Sequence, residues 1–487
     1  MTRSISRRTT LQALGASAAV GVLPRAARAA PPATDVIVIG AGLAGLHAAM
    51  LLQEQGLTVQ VVEGRRRVGG RVYTLMEVPG GVEAGGEVIG ASYARMIECA
   101  RKLELELHTP MSLGPPSDWM YHLGGESILK DDWQASRQNP LSDADRSILP
   151  HRLLQTLMYR DAPLRGRSLD AWLSDEFARW DIPATDYLRQ LGHSEATIRL
   201  AGVVVHTDRL DNTSALHEMR RYHVGDASRG NLAPGAVEAL QVKGGNSRLP
   251  EAMAKSLERP VMLGKAVYGI ESNSDGVRIR CTDDSEYRAR FAVVSMPLPR
   301  LRDVAFSPGL PEPLASAVRE IDYGLSIQVH MRLLHRYWEK DGLPAGMWTD
   351  TGIERFTPLD RGPMQADGSG GIQSVIAFIN GAEARKFNFM SDPDCFEYVR
   401  AVAERIRPAT RGALAPLTIQ SCARDPFGAG DWVYWQPGQI TRYGRHLRDR
   451  LPRIQFCGEH TAIMQRGMEA AFESGERAAL EILTEAS

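Results

Sequence analysis

Asp35-Val-Ile-Val-Ile-Gly-Ala-Gly-Leu-Ala-Gly45 reads as a strand, a tight turn and the start of a helix. Asp35 to Ile39 is a short apolar, β-branched run of the kind buried in a parallel sheet. Gly40, Gly42 and Gly45 fit GxGxxG, and Leu46-His-Ala-Ala-Met-Leu-Leu-Gln-Glu-Gln55 continues as good helical sequence. Gly56 stops that helix, and Thr58-Val-Gln-Val-Val62 is the next strand, ending on Glu63. Strand, glycine turn, helix, strand and acid in this order have the physical logic of a dinucleotide site. The glycines let the backbone approach a pyrophosphate, the helix N-terminus offers free N–H groups, and the acid accepts ribose hydroxyls.

The following residues select the dinucleotide. Arg66-Arg-Val-Gly-Gly-Arg71 resembles the RxGGR element of flavin-containing amine oxidases, the group of the monoamine and L-amino acid oxidases. The resemblance extends from about residue 35 to 484. It implies an α/β fold with two discontinuous parts: a Rossmann-like FAD-binding domain (parallel sheet with helices) from 30–105, 232–302 and 421–487, and an α+β substrate domain from 106–231 and 303–420. It also implies FAD as cofactor. The cofactor-binding residues carried over are Gly40, Gly42, Gly45, Glu63, Arg65, Gly70, Arg71, Gly86, Glu87, Val267, Glu459 and Met468. Arg71 is the phosphate-facing guanidinium, Val267 the position whose backbone meets adenine, and Glu459 lies towards the ribityl chain. The helix beginning near Gly467 and Met468 would favour an anionic reduced flavin through its N-terminal partial charge.

On the substrate side the sequence departs from the family at several positions. Relatives that oxidise amino acids carry an arginine just after the glycine pair that here is Gly85-Gly86; Glu87-Val-Ile-Gly90 stands in its place, which argues against an α-amino acid. Monoamine oxidases flank the amine with two aromatic rings. Trp432, in Arg424-Asp-Pro-Phe-Gly-Ala-Gly-Asp-Trp432, fills the first position, whereas Gly467 stands at the second and leaves room for a bulkier substrate. Asp431 replaces the cysteine that links flavin covalently in some members, so non-covalent FAD is expected. Gln328, in Tyr323-Gly-Leu-Ser-Ile-Gln328, replaces a lysine that holds a water near the flavin, and it brings no charge. Trp432, Gln328 and Gly467 are the expected catalytic positions. The implied reaction is oxidation of an amine C–N bond by hydride transfer to flavin N5, then hydrolysis of the imine, with oxygen or a periplasmic acceptor taking the electrons. A flavin desaturase acting on a C–C bond, an L-amino acid oxidase and a non-catalytic flavoprotein remain as alternatives.

The first 29 residues read as an address. Ser6-Arg-Arg-Thr-Thr-Leu-Gln12 resembles the twin-arginine export motif, a weakly apolar run from Leu11 to Leu23 follows, and Ala27-Arg-Ala29 is a cleavage signature. A bacterial source and a periplasmic destination follow as expectations. The whole chain has 57 basic and 58 acidic residues, and loss of that segment's five arginines leaves 52 against 58. The mature chain is therefore mildly acidic, with no basic run that suggests nucleic acid. No later run reaches the ~18 consecutive apolar residues of a membrane span. Five scattered cysteines form no CxxC pair and the histidines no ligand spacing, so neither a disulfide nor a metal is expected. A small amine is the expected partner, with homodimerisation left open. Trp119, Trp133, Trp172 and Trp180 mark 106–230 as a mostly helical insertion, and 303–420 reads as a mixed sheet.

Overall fold

In a computed structural model of the chain, the described residues are 34–109, 119–230, 239–360 and 371–486. The export segment expected at 1–29 lies outside them. The Thr34–Ile39 strand is sandwiched between parallel neighbours, Val59–Glu63 on one side and Glu286–Val294 on the other. Val36 to Ile39 are at most 3% exposed; a strand buried on both faces is why its sequence is continuously apolar rather than alternating. The sheet continues outward through Met262–Leu263 at one edge and through Gly276–Cys281, Val267–Asn273 and Ala305–Ser307 at the other. Ile454–Phe456 adds an eighth, parallel strand against Glu286–Val294. These strands lie at 34–63, 262–307 and 454–456 of the chain; Ala305–Ser307 falls just inside the 303–420 segment read as substrate domain, and its pairing with Val267–Asn273 puts it in this sheet instead.

The helix after the first strand spans Leu43–Glu54, beginning three residues earlier than the sequence suggested. It is apolar nearly all round because it lies between the sheet and the C-terminal helix Gly467–Ala486, in a core that includes Leu46, Ala48, Leu52, Phe472 and Ala479.

A second sheet has seven strands in the order Leu414–Ser421, Ser326–Leu333, Ile372–Asn380, Arg355–Asp360, Gly346–Thr349, Trp119–Leu123 and Glu126–Ile128. It is mixed: one pair, Gly346–Thr349 with Trp119–Leu123, is parallel and the others antiparallel. Its strands alternate sharply. Ile327, Val329 and Met331, with Val375, Ala377 and Ile379, turn into a core capped by Val399 and Ala403 of the Asp392–Ile406 helix. The residues between them face the other way, towards the first sheet.

The 106–230 stretch corrects the sequence reading in two respects. Trp119 does not belong to a helical region: Trp119-Met-Tyr-His-Leu123 is a strand of the second sheet. The segments around Trp172 and Trp180 are two short 3-10 turns, Ala171–Leu173 and Asp175–Trp180, rather than α-helix. The α-helices of the region are Pro150–Tyr159, Ala184–Gln190, Glu195–Ala201 and Ala215–Gly230. Thr34 onward clusters as one compact unit. No helix among the described residues is long and apolar enough to cross a membrane. All five cysteines are free thiols.

Candidate active site

A single cavity of about 1090 Å³ runs between the two sheets. That exceeds the roughly 300–1,000 Å³ usual for a small-ligand pocket, so it has room for a large cofactor and a substrate together. Of the fifteen residues expected at the site, every one except Gly45 lines it.

At one end stand Gly40, Gly42, Glu63, Arg65 and Val267. Glu63 is 4% exposed and its carboxylate is held by backbone amides: Oε2 accepts from Ala41 N at 2.8 Å and Oε1 from Arg65 N at 2.8 Å. The Arg65 guanidinium is turned to Asp425, 2.5 Å away, and lies 3.6 Å from Glu63. Its charge is thus spent on the cavity wall, where it ties the first glycine segment to the loop before Trp432. Gly45 has a different task. A Cβ there would lie 2.1 Å from the Gly40 carbonyl oxygen, so the position lets the helix close onto the turn rather than touch a ligand. At Gly42 an added Cβ would meet nothing within 4 Å; the open space is the cavity itself.

In the middle, Gly70, Arg71, Gly86, Glu87, Glu459 and Met468 converge. Arg71 donates from Nη1 to the Asp431 carbonyl at 2.7 Å and to Glu459 Oε1 at 3.0 Å. Glu459 Oε1 also accepts from Val433 N at 2.9 Å. One carboxylate therefore joins the arginine loop, the C-terminal segment and the residue after Trp432. Gly85 is held 1.8 Å (as a would-be Cβ) from the Arg71 carbonyl, and Gly86 is packed by Met468; side chains there would push this floor into the cavity.

At the far end are Gln328, Trp432 and Gly467, together with Tyr93, His206, Arg355 and Phe378, which sequence reasoning did not assign to the site. Gln328 is buried, its Oε1 3.0 Å from His330 Nε2 and its Nε2 3.4 Å from the Glu83 carbonyl. Both ends of the amide are therefore engaged by the protein. The Trp432 ring lies 6.1 Å from the His206 ring. Burial, with help from Arg355, Arg221 and Arg466, pushes the His206 pKa well down and keeps the imidazole neutral. The space expected beside Gly467 is bordered by another aromatic residue: a Cβ at Gly467 would sit 3.4 Å from the Tyr93 hydroxyl. The gap in the aromatic cage is thus narrower than the sequence implied, because Tyr93 approaches it from the start of the Ala94–Lys102 helix. Asp431 points its buried carboxyl at Ser326 and Cys422; burial raises its pKa while those hydrogen bonds oppose the rise. Among the described residues, no group of three or more His, Cys, Asp or Glu side chains could hold a metal.

A glycine turn opening into a helix, an acid closing the second strand and a cavity leading from them to an aromatic residue have the geometry of a site for a large, phosphate-bearing cofactor beside a substrate. The family model for flavin containing amine oxidoreductases matches residues 43–483. The chain belongs to that family, and it is a flavin-dependent enzyme. Flavin-containing amine oxidase B of Homo sapiens is 26% identical over 468 residues, which cover 92% of this chain and 86% of that protein. The flavin-containing amine oxidase of Oncorhynchus mykiss is 25% identical over 466 residues, covering 93% and 86%. Cyclohexylamine oxidase from Brevibacterium oxydans shares the fold with a TM-score of 0.75 at 23% identity, over 93% of this chain and 100% of that one.

Proposed function

We propose that the protein binds FAD non-covalently and oxidises the C–N bond of a small amine. The observation that carries this reading is the continuity of one cavity from Glu63 to Trp432 and Gln328. The residues fit the cofactor: open backbone at Gly42, an amide-held carboxylate at Glu63, and a floor kept low by Gly85 and Gly86. A bound flavin supplies two-electron oxidation of the carbon beside the nitrogen, and water then hydrolyses the imine. The chain's own residues position and select. Trp432 offers a flat wall and a π-face for the amine. Gln328, fixed by His330 and the Glu83 carbonyl, presents a neutral amide where relatives carry a charge. The neutral His206 and the basic neighbourhood around it disfavour an ammonium ion and favour the free amine, the form with a lone pair to release a hydride. Asp431 in place of a thiol argues for non-covalent attachment. Among the described residues no cysteine lines the cavity, and Cys422, beside Asp431, is directed at Ser326.

The same reading places the enzyme in the periplasm of a bacterium, after export through the Arg7-Arg8 signal. Substitution of both arginines by lysine should retain the protein in the cytoplasmic fraction.

Anaerobic mixing with a library of amines tests the activity. Bleaching of the flavin by primary or secondary amines is expected, with release of aldehyde or ketone. Bleaching only by substrates that lack nitrogen would replace this reading with C–C dehydrogenation. Acid precipitation tests the attachment: the yellow colour should stay in the supernatant, and colour in the pellet would overturn non-covalent binding.

A further inference from the structure

The wall of the cavity beside Gln328 carries a cation, Arg355, that has no ion pair among the described residues. In the second sheet Gln328 lies opposite Phe378, and Phe378 lies opposite Arg355. Residues directly opposite in an antiparallel ladder share a face, so the three side chains project to one side, and all three line the cavity. The guanidinium rests over the Phe378 ring at 4.5 Å. Among the described residues it makes no hydrogen bond or ion pair, and its Nε is sealed from solvent without a partner. Glu354 and Glu87 are within electrostatic range but neither forms an ion pair with it. Glu354 is engaged elsewhere, its Oε2 accepting from Asn380 N at 2.9 Å and Asn380 Nδ2 at 2.8 Å. The neighbouring Arg221 is already joined to Glu218 at 3.2 Å.

Arg355 is half-buried, and its guanidinium faces the cavity with hydrogen-bonding capacity left over. Its planar fork is matched in shape to a carboxylate, with which it forms two charge-assisted hydrogen bonds. We propose that Arg355 binds a carboxylate carried by the amine substrate, which makes the natural substrate an amino carboxylate rather than a plain alkylamine. This rests on the amine-oxidising reading above. Adjacent strands are about 4.8 Å apart, so the Arg355 backbone stands roughly 10 Å from that of Gln328. The carboxylate therefore lies several bonds from the oxidised carbon, as in an ω-amino acid. The arrangement differs from a clamp placed directly after the glycine pair, where Glu87 stands in this chain.

Equilibrium binding to the oxidised holoenzyme, read from perturbation of the flavin absorption, tests the site without turnover. Wild type should bind n-caproate at least about tenfold more tightly than n-hexanol, the scale of one charge-assisted hydrogen-bonded pair. The preference should fall to near unity in Arg355→Gln, and Arg355→Lys, which keeps the charge but not the fork, should retain part of it. Anaerobic flavin reduction should likewise favour ε-aminocaproate over n-hexylamine in wild type and lose that order in Arg355→Gln. Equal binding of n-caproate and n-hexanol by wild type, or a preference that survives Arg355→Gln, overturns the assignment. If the n-caproate preference and its loss are observed but no amine bleaches the flavin, the anion site stands and the amine-oxidising reading fails.

Discussion

Gln328 is a neutral side chain at a position where a cation would alter the reaction with oxygen. Reduction of oxygen passes through superoxide, and a positive charge about 5 Å away in a medium of effective dielectric near 20 stabilises that anion by roughly 3 kcal/mol before desolvation costs. Half of that corresponds to about tenfold in rate. Gln328→Lys is expected to speed reoxidation by oxygen about tenfold in stopped-flow mixing of the reduced enzyme. Rapid reoxidation of the wild type, with no gain in the variant, would sink the idea and leave Arg355 or Arg466 as the source of the field. The lysine would have to displace the contacts Gln328 makes to His330 and Glu83, so the flavin content of the variant must be checked first. Gly467 presents the opposite problem. Its φ of 61° is in the left-handed region, so a tyrosine introduced to rebuild the cage would strain the backbone by about 1 kcal/mol or more. Tyr93 is the better place to probe pocket width.

The glycine turn and its helix make a prediction at the level of the element. Gly45 and Gly42 belong to one motif, but their surroundings separate a folding role from a ligand role. An alanine at 45 would drive a methyl group into the Gly40 carbonyl, against backbone that cannot yield. An alanine at 42 meets only the cavity, and its φ of −80° suits any residue. Gly45→Ala is therefore expected to lower the stability of the apoprotein by about 2 kcal/mol or more, together with flavin content. Gly42→Ala is expected to leave apoprotein unfolding within about 0.5 kcal/mol of wild type while weakening flavin binding at least about tenfold, because the methyl group occupies space where the cofactor phosphates approach. Thermal melts of the two apoproteins, followed by flavin titration, would separate these outcomes. Equal loss of stability in both variants would refute the division.

At the scale of the whole molecule, a buried carboxyl beside the second sheet makes stability depend on pH. Glu354 is pushed from its ordinary 4.5 up to about 7 by burial, against the opposing pull of Asn380 and Arg355. Between those values the folded protein keeps a proton that the unfolded chain has lost. Its contribution to stability therefore falls as pH rises from about 4.5 to about 7, then levels off. Glu354→Gln removes that penalty, and denaturant unfolding should find it more stable relative to wild type at pH 8 than at pH 5, by on the order of 2 kcal/mol. Identical pH slopes in the two proteins would refute the assignment. The first sheet, its glycine turn and Glu63 were legible in the sequence because they are local. A buried parallel strand is continuously apolar, a GxGxxG turn needs its glycines within six residues, and the acid ends the next strand. That Trp432, Gln328 and Gly467 would line one cavity was legible through resemblance, since their flanking motifs carry them. Only the tertiary structure could decide the second half of the site. Trp119 was misplaced because strand pairing with Gly346–Thr349, more than two hundred residues distant, determines its conformation. Tyr93 enters the cage from a helix start with no motif to mark it. Arg355 belongs to no motif in the sequence, and it becomes a candidate anion site only when the register Gln328–Phe378–Arg355 brings the three residues onto one face, where the guanidinium has no ion pair among the described residues.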